Sequence, residues 1–129
     1  MIEEQFTFYL ENKPTVLARM ARALADQGVN IEGISVAESA DAALVQIIVC
    51  NASKAKKALQ KAKITHSSEK VSVVVLDHKP GSLSAFISRL AKEKVNINYM
   101  YGTALADSGK CRVVISAEDL KKVEEIAGR

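Results

Sequence analysis

The chain has 129 residues, long enough for one ordinary domain or two very small ones, and 48% of them are hydrophobic, enough to build a core. A charged fraction of 26% without any long biased tract argues against disorder, and a net charge of +3 is too small to predict nucleic-acid binding. No run approaches the ~18 apolar residues of a membrane span, and the acidic start Met-Ile-Glu-Glu is unlike a secretory leader, so a cytoplasmic protein with no membrane partner is expected.

Phe6, Phe8 and Leu10 alternate with Gln5, Thr7 and Tyr9, which predicts a strand with one buried face. A turn follows, in which Pro14 suits the first helical position and Asn12 or Thr15 supplies a cap for the free amides. Leu17, Met20, Ala21, Leu24 and Ala25 fall on one apolar stripe of a helix that Gly28 ends. Residues 29–36 and 43–50 read as a hairpin joined through residues 38–41, with a bulge at Gly33 because Ile31 and Ile34 have opposite parity. Ser53 stands before a second helix with Ala55, Ala58, Leu59 and Ala62 on one face, and a short strand over 64–68 is expected to close the unit.

The same order then starts again. Displaced by 66 residues, Leu10 falls on Leu76, Lys13 on Lys79, Pro14 on Pro80, Leu17 on Leu83, Leu24 on Leu90, and Val29-Asn30-Ile31 on Val95-Asn96-Ile97. The second copy reads as a strand over 71–76, a helix bearing Leu83, Phe86, Ile87, Leu90 and Ala91, strands over 95–103 and 111–116, and a final helix. Two domains, 1–68 and 69–129, are therefore expected, each a ferredoxin-like βαββαβ module of the α+β class with an antiparallel sheet and both helices on one face. The second module has no recognisable last strand, which leaves a sheet edge to be covered or paired. Residues 71–76 are apolar on both faces apart from Ser72, so the side of that strand away from the helices is expected to be covered as well.

Cys50 and Cys111 lie in apolar β-rich runs and read as buried, reduced thiols. His66 and His78 lack the spacing of a metal pair, and neither a metal nor a cofactor is expected.

These residues carry a resemblance to the ACT domain, a small ligand-binding module attached to many enzymes of amino-acid metabolism. The pattern is a strand ending in an acidic or polar residue, x-Pro-Gly-x-Leu, an amphipathic helix, and a hydrophobic-Asn-Ile start to the next strand. It occurs as Asp77-His78-Lys79-Pro80-Gly81-Ser82-Leu83 with Val95-Asn96-Ile97, and as Glu11-Asn12-Lys13-Pro14-Thr15-Val16-Leu17 with Val29-Asn30-Ile31, where Thr15 replaces the glycine. The resemblance implies that a small effector, most often an amino acid, binds where two such domains meet side by side. In the serine-regulated branch, the residue two before the proline and the asparagine opening the next strand hold the effector. The ligand-binding residues it implies are Asn12, Thr15, Val16, Leu17 and Asn30 in the first copy, and Asp77, His78, Gly81, Ser82, Leu83 and Asn96 in the second. A strand-to-helix turn suits a carboxylate, because free N–H groups and the positive end of the helix dipole converge there.

The residues also carry plainer readings. Asn30 and Asn96 follow helix ends, where asparagine serves in turns, and Asn12 and His78 can satisfy helix amides. Lys54, Lys56, Lys57, Lys61 and Lys63 form a solvated helix face, Tyr99 and Tyr101 suit strand packing, and Glu118-Asp119 supplies charge at a helix start. The leading function is a non-enzymatic amino-acid-binding regulator that acts through a metabolic-enzyme partner and forms a homodimer. The alternative is a regulatory subunit that resembles the acetolactate-synthase small subunit and works by protein contact without its own ligand. An enzyme centred on His78 is the third reading, for which no orienting residue is evident.

Overall fold

The computed structural model describes residues 1–39 and 41–129. Its elements in chain order are β1 (Ile2–Glu11), α1 (Pro14–Asp26), β2 (Ile31–Ser39), β3 (Ala42–Val49), α2 (Ala52–Lys61), β4 (Ser67–Asp77), α3 (Ser82–Lys92), β5 (Ile97–Leu105), β6 (Lys110–Ala117) and α4 (Leu120–Ala127). Six antiparallel strands and four helices make an α+β fold of two ferredoxin-like modules, ordered β2-β3-β1 in one and β4-β6-β5 in the other. Ala40, part of the expected 38–41 connection, lies outside the described residues.

The chain packs as two compact units, one of residues 4–69 and the other of residues 1–3 with 70–129. Each unit thus receives the leading end of a strand whose remainder lies in its neighbour. In the second unit the Val73 N–H donates to the Met1 carbonyl at 2.7 Å, which sets Met1 beside β4 where a last strand was missing. In the first, residues 67–69 open β4, and Gln5 Nε2 donates to Glu69 Oε1 at 3.0 Å. The strand expected over 64–68 is therefore displaced to a start at Ser67. Ile64 instead closes a helix end: its N–H donates to the Leu59 carbonyl at 3.0 Å and its side chain is buried in the core.

Phe6, Phe8, Met20, Leu24, Val45, Ile47 and Leu59 fill the first core, and Phe86, Leu90, Ile115, Val123 and Ile126 the second. Fully burying one such side chain contributes roughly 1.5–3 kcal/mol. The stripes are narrower than expected. Met20 and Leu24 are buried while Ala21 and Ala25 are exposed, and Phe86 and Leu90 are buried while Ile87 and Ala91 are exposed. Positions 21 and 25 lie about 100° round the helix from 20 and 24, outside the arc that the sheet covers.

β1 does not have one buried face. Gln5 and Thr7 are buried alongside Phe6 and Phe8, and Gln5 Nε2 donates to Thr7 Oγ1 at 3.2 Å as well as to Glu69, so the buried polar groups have partners. In β4, Val71 and Val73 are buried on the side away from Val74, as expected, whereas Val75 is exposed. Both hairpins carry a bulge at matching places, between Ile31 and Gly33 and between Ile97 and Tyr99. Cys50, just past the end of β3, is exposed and Cys111 is half-buried, so neither thiol is the enclosed core group expected.

Candidate functional site

The two Lys-Pro turns fold differently. In the first, Pro14 is the first residue of α1 and Lys13 its N-cap, and no side chain caps the helix, so Asn12 and Thr15 do not take the expected capping role. Thr15 sits within the helix, where no glycine is required. In the second, α3 begins later, at Ser82, and Gly81 is the N-cap with φ +94°, a left-handed conformation that favours glycine. A Cβ built on Gly81 would meet nothing within 4 Å, so backbone conformation and not crowding selects glycine there.

The second turn is held at both ends. The His78 N–H donates to the Gly109 carbonyl at 2.9 Å, Lys79 N–H to Asp77 O at 3.1 Å, and Ser82 N–H to Lys79 O at 3.3 Å. Lys110 Nζ pairs with the Asp77 carboxylate across the β4–β6 register. The hydrogen bond and charge of Lys110, with a further contribution from Lys79, hold the Asp77 carboxyl below its ordinary value, so it is anionic at neutral pH.

Beside this turn lies an open cleft of about 690 Å³, lined by Asp77, His78, Lys79, Pro80 and Leu83 on one side and by Gly102, Thr103, Ala104, Cys111, Arg112 and Val113 on the other. Its volume falls within the ~300–1,000 Å³ of small-molecule sites. Small residues make the room: Gly102 and Ala104 alternate along β5, and a Cβ at Gly102 would stand 3.0 Å from the Arg112 carbonyl oxygen. Leu83 is 44% exposed and, with Ala104 and Val113, supplies apolar surface next to the charged turn. On the other flank of the turn a second cleft, of about 640 Å³, includes Gly81 and Ser82.

The structure thus brings Asp77, His78 and Leu83 together at one cleft and Gly81 and Ser82 at the next. Asn96 is not with them. It lines a small depression of about 160 Å³ with Glu93, Lys94, Glu118, Asp119 and Lys122, which shares no residue with either turn cleft. Asn30 holds β-structure through its backbone: its carbonyl accepts from Cys50 N–H at 3.0 Å and its N–H donates to Cys50 Sγ at 3.3 Å. Asn12 and Thr15 are exposed and Val16 and Leu17 half-buried at the first turn. Tyr99 and Tyr101 pair with Ser116 and Val114, before the cleft-lining stretch of β5 at residues 102–104, and do not line the cleft. Asp119 caps α4 by accepting from Lys122 N–H at 2.9 Å. Gly102, Ala104 and Cys111 are cleft residues that sequence reasoning missed. Their only signal is the small-residue alternation at 102 and 104, which acquires meaning once the register sets it opposite Cys111 and Val113.

No group of three or more His, Cys, Asp or Glu side chains is placed to hold a metal ion among the described residues. No helix among them is long and apolar enough to cross a membrane.

A family model described as an ACT domain pair matches residues 1–127. The chain belongs to the ACT domain pair family. Within its 129 residues that pair leaves no room for a catalytic domain. Among solved structures, this ACT pair is similar to a protein from Bacteroides thetaiotaomicron, with 30% identity, a TM-score of 0.90, and coverage of 99% of this chain and 88% of that one. It is also similar in fold to the ligand-free regulatory subunit of aspartate kinase from Thermus thermophilus, at 18% identity and a TM-score of 0.70, covering 99% and 93%. The aspartate kinase of Clostridium acetobutylicum, described as an allosteric enzyme, matches at 16% identity and a TM-score of 0.58, with 98% of this chain aligned to 33% of that one. No curated protein sequence matches the chain.

Proposed function

We propose that this ACT pair is a non-enzymatic regulatory protein that binds a free amino acid in the cleft beside Pro80 and acts on a separate metabolic enzyme. The observation that carries the reading is the composition of that cleft. An anionic Asp77 matches a ligand ammonium, Lys79 and Arg112 match a carboxylate, and Leu83, Ala104 and Val113 offer apolar surface to a side chain. The domains 1–68 and 69–129, a cytoplasmic location and a homodimer belong to the same proposal. Regulation follows if the ligand binds one conformation or assembly more tightly than another, since only differential affinity shifts an equilibrium.

The test is a thermal-shift and calorimetric screen of the twenty amino acids against the wild-type chain and against Ala104→Leu, which fills the cleft from an exposed strand position. A ligand at a hundred times its dissociation constant raises stability by about 2.7 kcal/mol. A selective shift that Ala104→Leu abolishes is expected. A ligand whose affinity Ala104→Leu leaves unchanged would remove the cleft from the reading.

A second reading, a regulatory subunit that acts by protein contact alone, draws support from fold similarity to a regulatory subunit of aspartate kinase along 99% of the chain. Under that reading no amino acid shifts the melting temperature, and an enzyme is captured by the ligand-free protein.

A further inference from the structure

The cleft on the other flank of the Pro80 turn has a different chemistry from its neighbour. Three cationic side chains border it, Lys79 from the turn, Arg89 from α3 and Lys110 from β6, against the single carboxylate of Asp77. Arg89 reaches it for a geometric reason. Side chains on a helix lean toward the N-terminus, and Ala85, one turn before Arg89, is small, so Arg89 lines the cleft together with Ala85 and Ser82. It lies 5.8 Å from the centre of the Phe86 ring, which braces it. Its Nε is enclosed by protein and has no hydrogen-bond partner among the described residues. Nothing in the fold thus engages the Nε, and the terminal amino groups of Arg89, whose side chain borders the cleft, are the donors that an arriving oxyanion would meet.

The first copy serves as an internal control. It keeps the strand, the Lys-Pro pair and the helix, yet Ala23 stands at the position of Arg89 and Val16 at that of Ser82. By strand register the counterpart of Lys110, opposite Asp77, is Ala42, opposite Glu11. The fold therefore does not require these cations, and they gather only at the second turn.

We propose that this cleft is a separate site for the oxyanion of a small metabolite, a phosphoryl or carboxylate group held by Arg89, Lys79 and Lys110. Arg89 provides directional N–H donors, Lys79 and Lys110 provide charge, and the Ser82 hydroxyl supplies a further donor. The site shares Asp77, Lys79 and Pro80 with the neighbouring cleft, whereas Ser82, Arg89 and Lys110 are its own, so Arg89→Gln and Ala104→Leu separate the failure of one proposal from that of the other.

The experiment titrates the full-length ¹⁵N-labelled chain with inorganic phosphate or with succinate, ionic strength being held constant with sodium chloride. Saturable shifts at the amides of residues 81–85 and at the Arg89 Nε–H are expected. Arg89→Gln should weaken binding about ten-fold or more, Lys110→Met should weaken it also, and Ala104→Leu should leave it unchanged. Stronger binding of phosphate assigns a phosphoryl ligand and stronger binding of succinate a carboxylate, and either result supports the site. Non-saturating shifts, equal shifts at residues 15–19, or unaltered affinity in Lys110→Met and in an Arg89→Gln chain with a native spectrum would overturn it.

Discussion

Asp77 is the residue on which the two clefts converge, and its charge is set by its neighbours. Lys110 lowers its pKa by hydrogen bond and by charge, and Lys79 adds to the effect. A carboxyl with a lowered folded value stabilises the fold above its unfolded value, and that contribution disappears as pH falls through the folded value. Lys110→Met should therefore move the Asp77 titration up toward the ordinary aspartate range, about 3.9, as read by NMR of the carboxyl carbon. An unmoved titration would mean that the pair does not form in solution. The carboxylate is exposed and screened, so the change in overall stability should be small. Asp77, His78 and Leu83 could be picked from the sequence because the Pro-Gly turn is a local pattern. Lys110 and Ala104 could not, since their nearness to the turn depends on strand pairing across more than twenty residues of chain.

At the scale of elements, three helices end in the same way and one of them does so without strain. After α1, Gly28 at φ +72° donates to Ala25 O at 2.9 Å while Val29 donates to Leu24 O at 3.0 Å, the paired bonds of a Schellman ending. The same bonds follow α3 with Lys94 at φ +58°, and follow α2 with Lys63 at φ +57°. An L-residue in this region costs roughly 1–2 kcal/mol, and glycine loses about 0.5–1 kcal/mol of that advantage through unfolded-state entropy. Lys94→Gly should thus stabilise the protein by roughly 0.5–1 kcal/mol, and Gly28→Ala should cost about 1 kcal/mol, in urea unfolding followed by circular dichroism. A Lys94→Gly chain no more stable than wild type would show that Lys94 carries no strain. These endings also explain a misreading of the sequence. Ile64 resembles the start of a strand, yet it is the apolar residue that packs after a left-handed position, a role that apolar alternation alone does not distinguish. The bulges were legible, because a parity change between Ile31 and Ile34 has no other economical explanation.

For the whole molecule, the repeat made two modules readable from sequence, but the exchange of strand ends was hidden. Residues 1–3 and 67–69 carry no pattern that names the unit they join, because pairing of an edge is a property of backbone hydrogen bonds and not of side-chain type. The buried Gln5 and Thr7 were obscured for a related reason, since polar residues that satisfy one another can be enclosed without an apolar signature. A fragment of residues 70–129 lacks Met1 beside Val73 and should expose a strand edge. It should unfold at a lower temperature than the same fragment carrying a grafted strand of residues 1–3, as measured by circular dichroism. Equal melting temperatures would show that the borrowed strand contributes nothing.

The strand exchange also bears on inheritance. The repeat period is 66 residues, whereas the compact units begin two residues inside β1, at Glu4, and three residues inside β4, at Lys70. Recombination that replaced one repeat with a homologous repeat would carry a foreign piece of sheet into the resident neighbour. A replacement repeat must therefore match its new host at those few strand residues, because they pack with the other unit's sheet and not with their own.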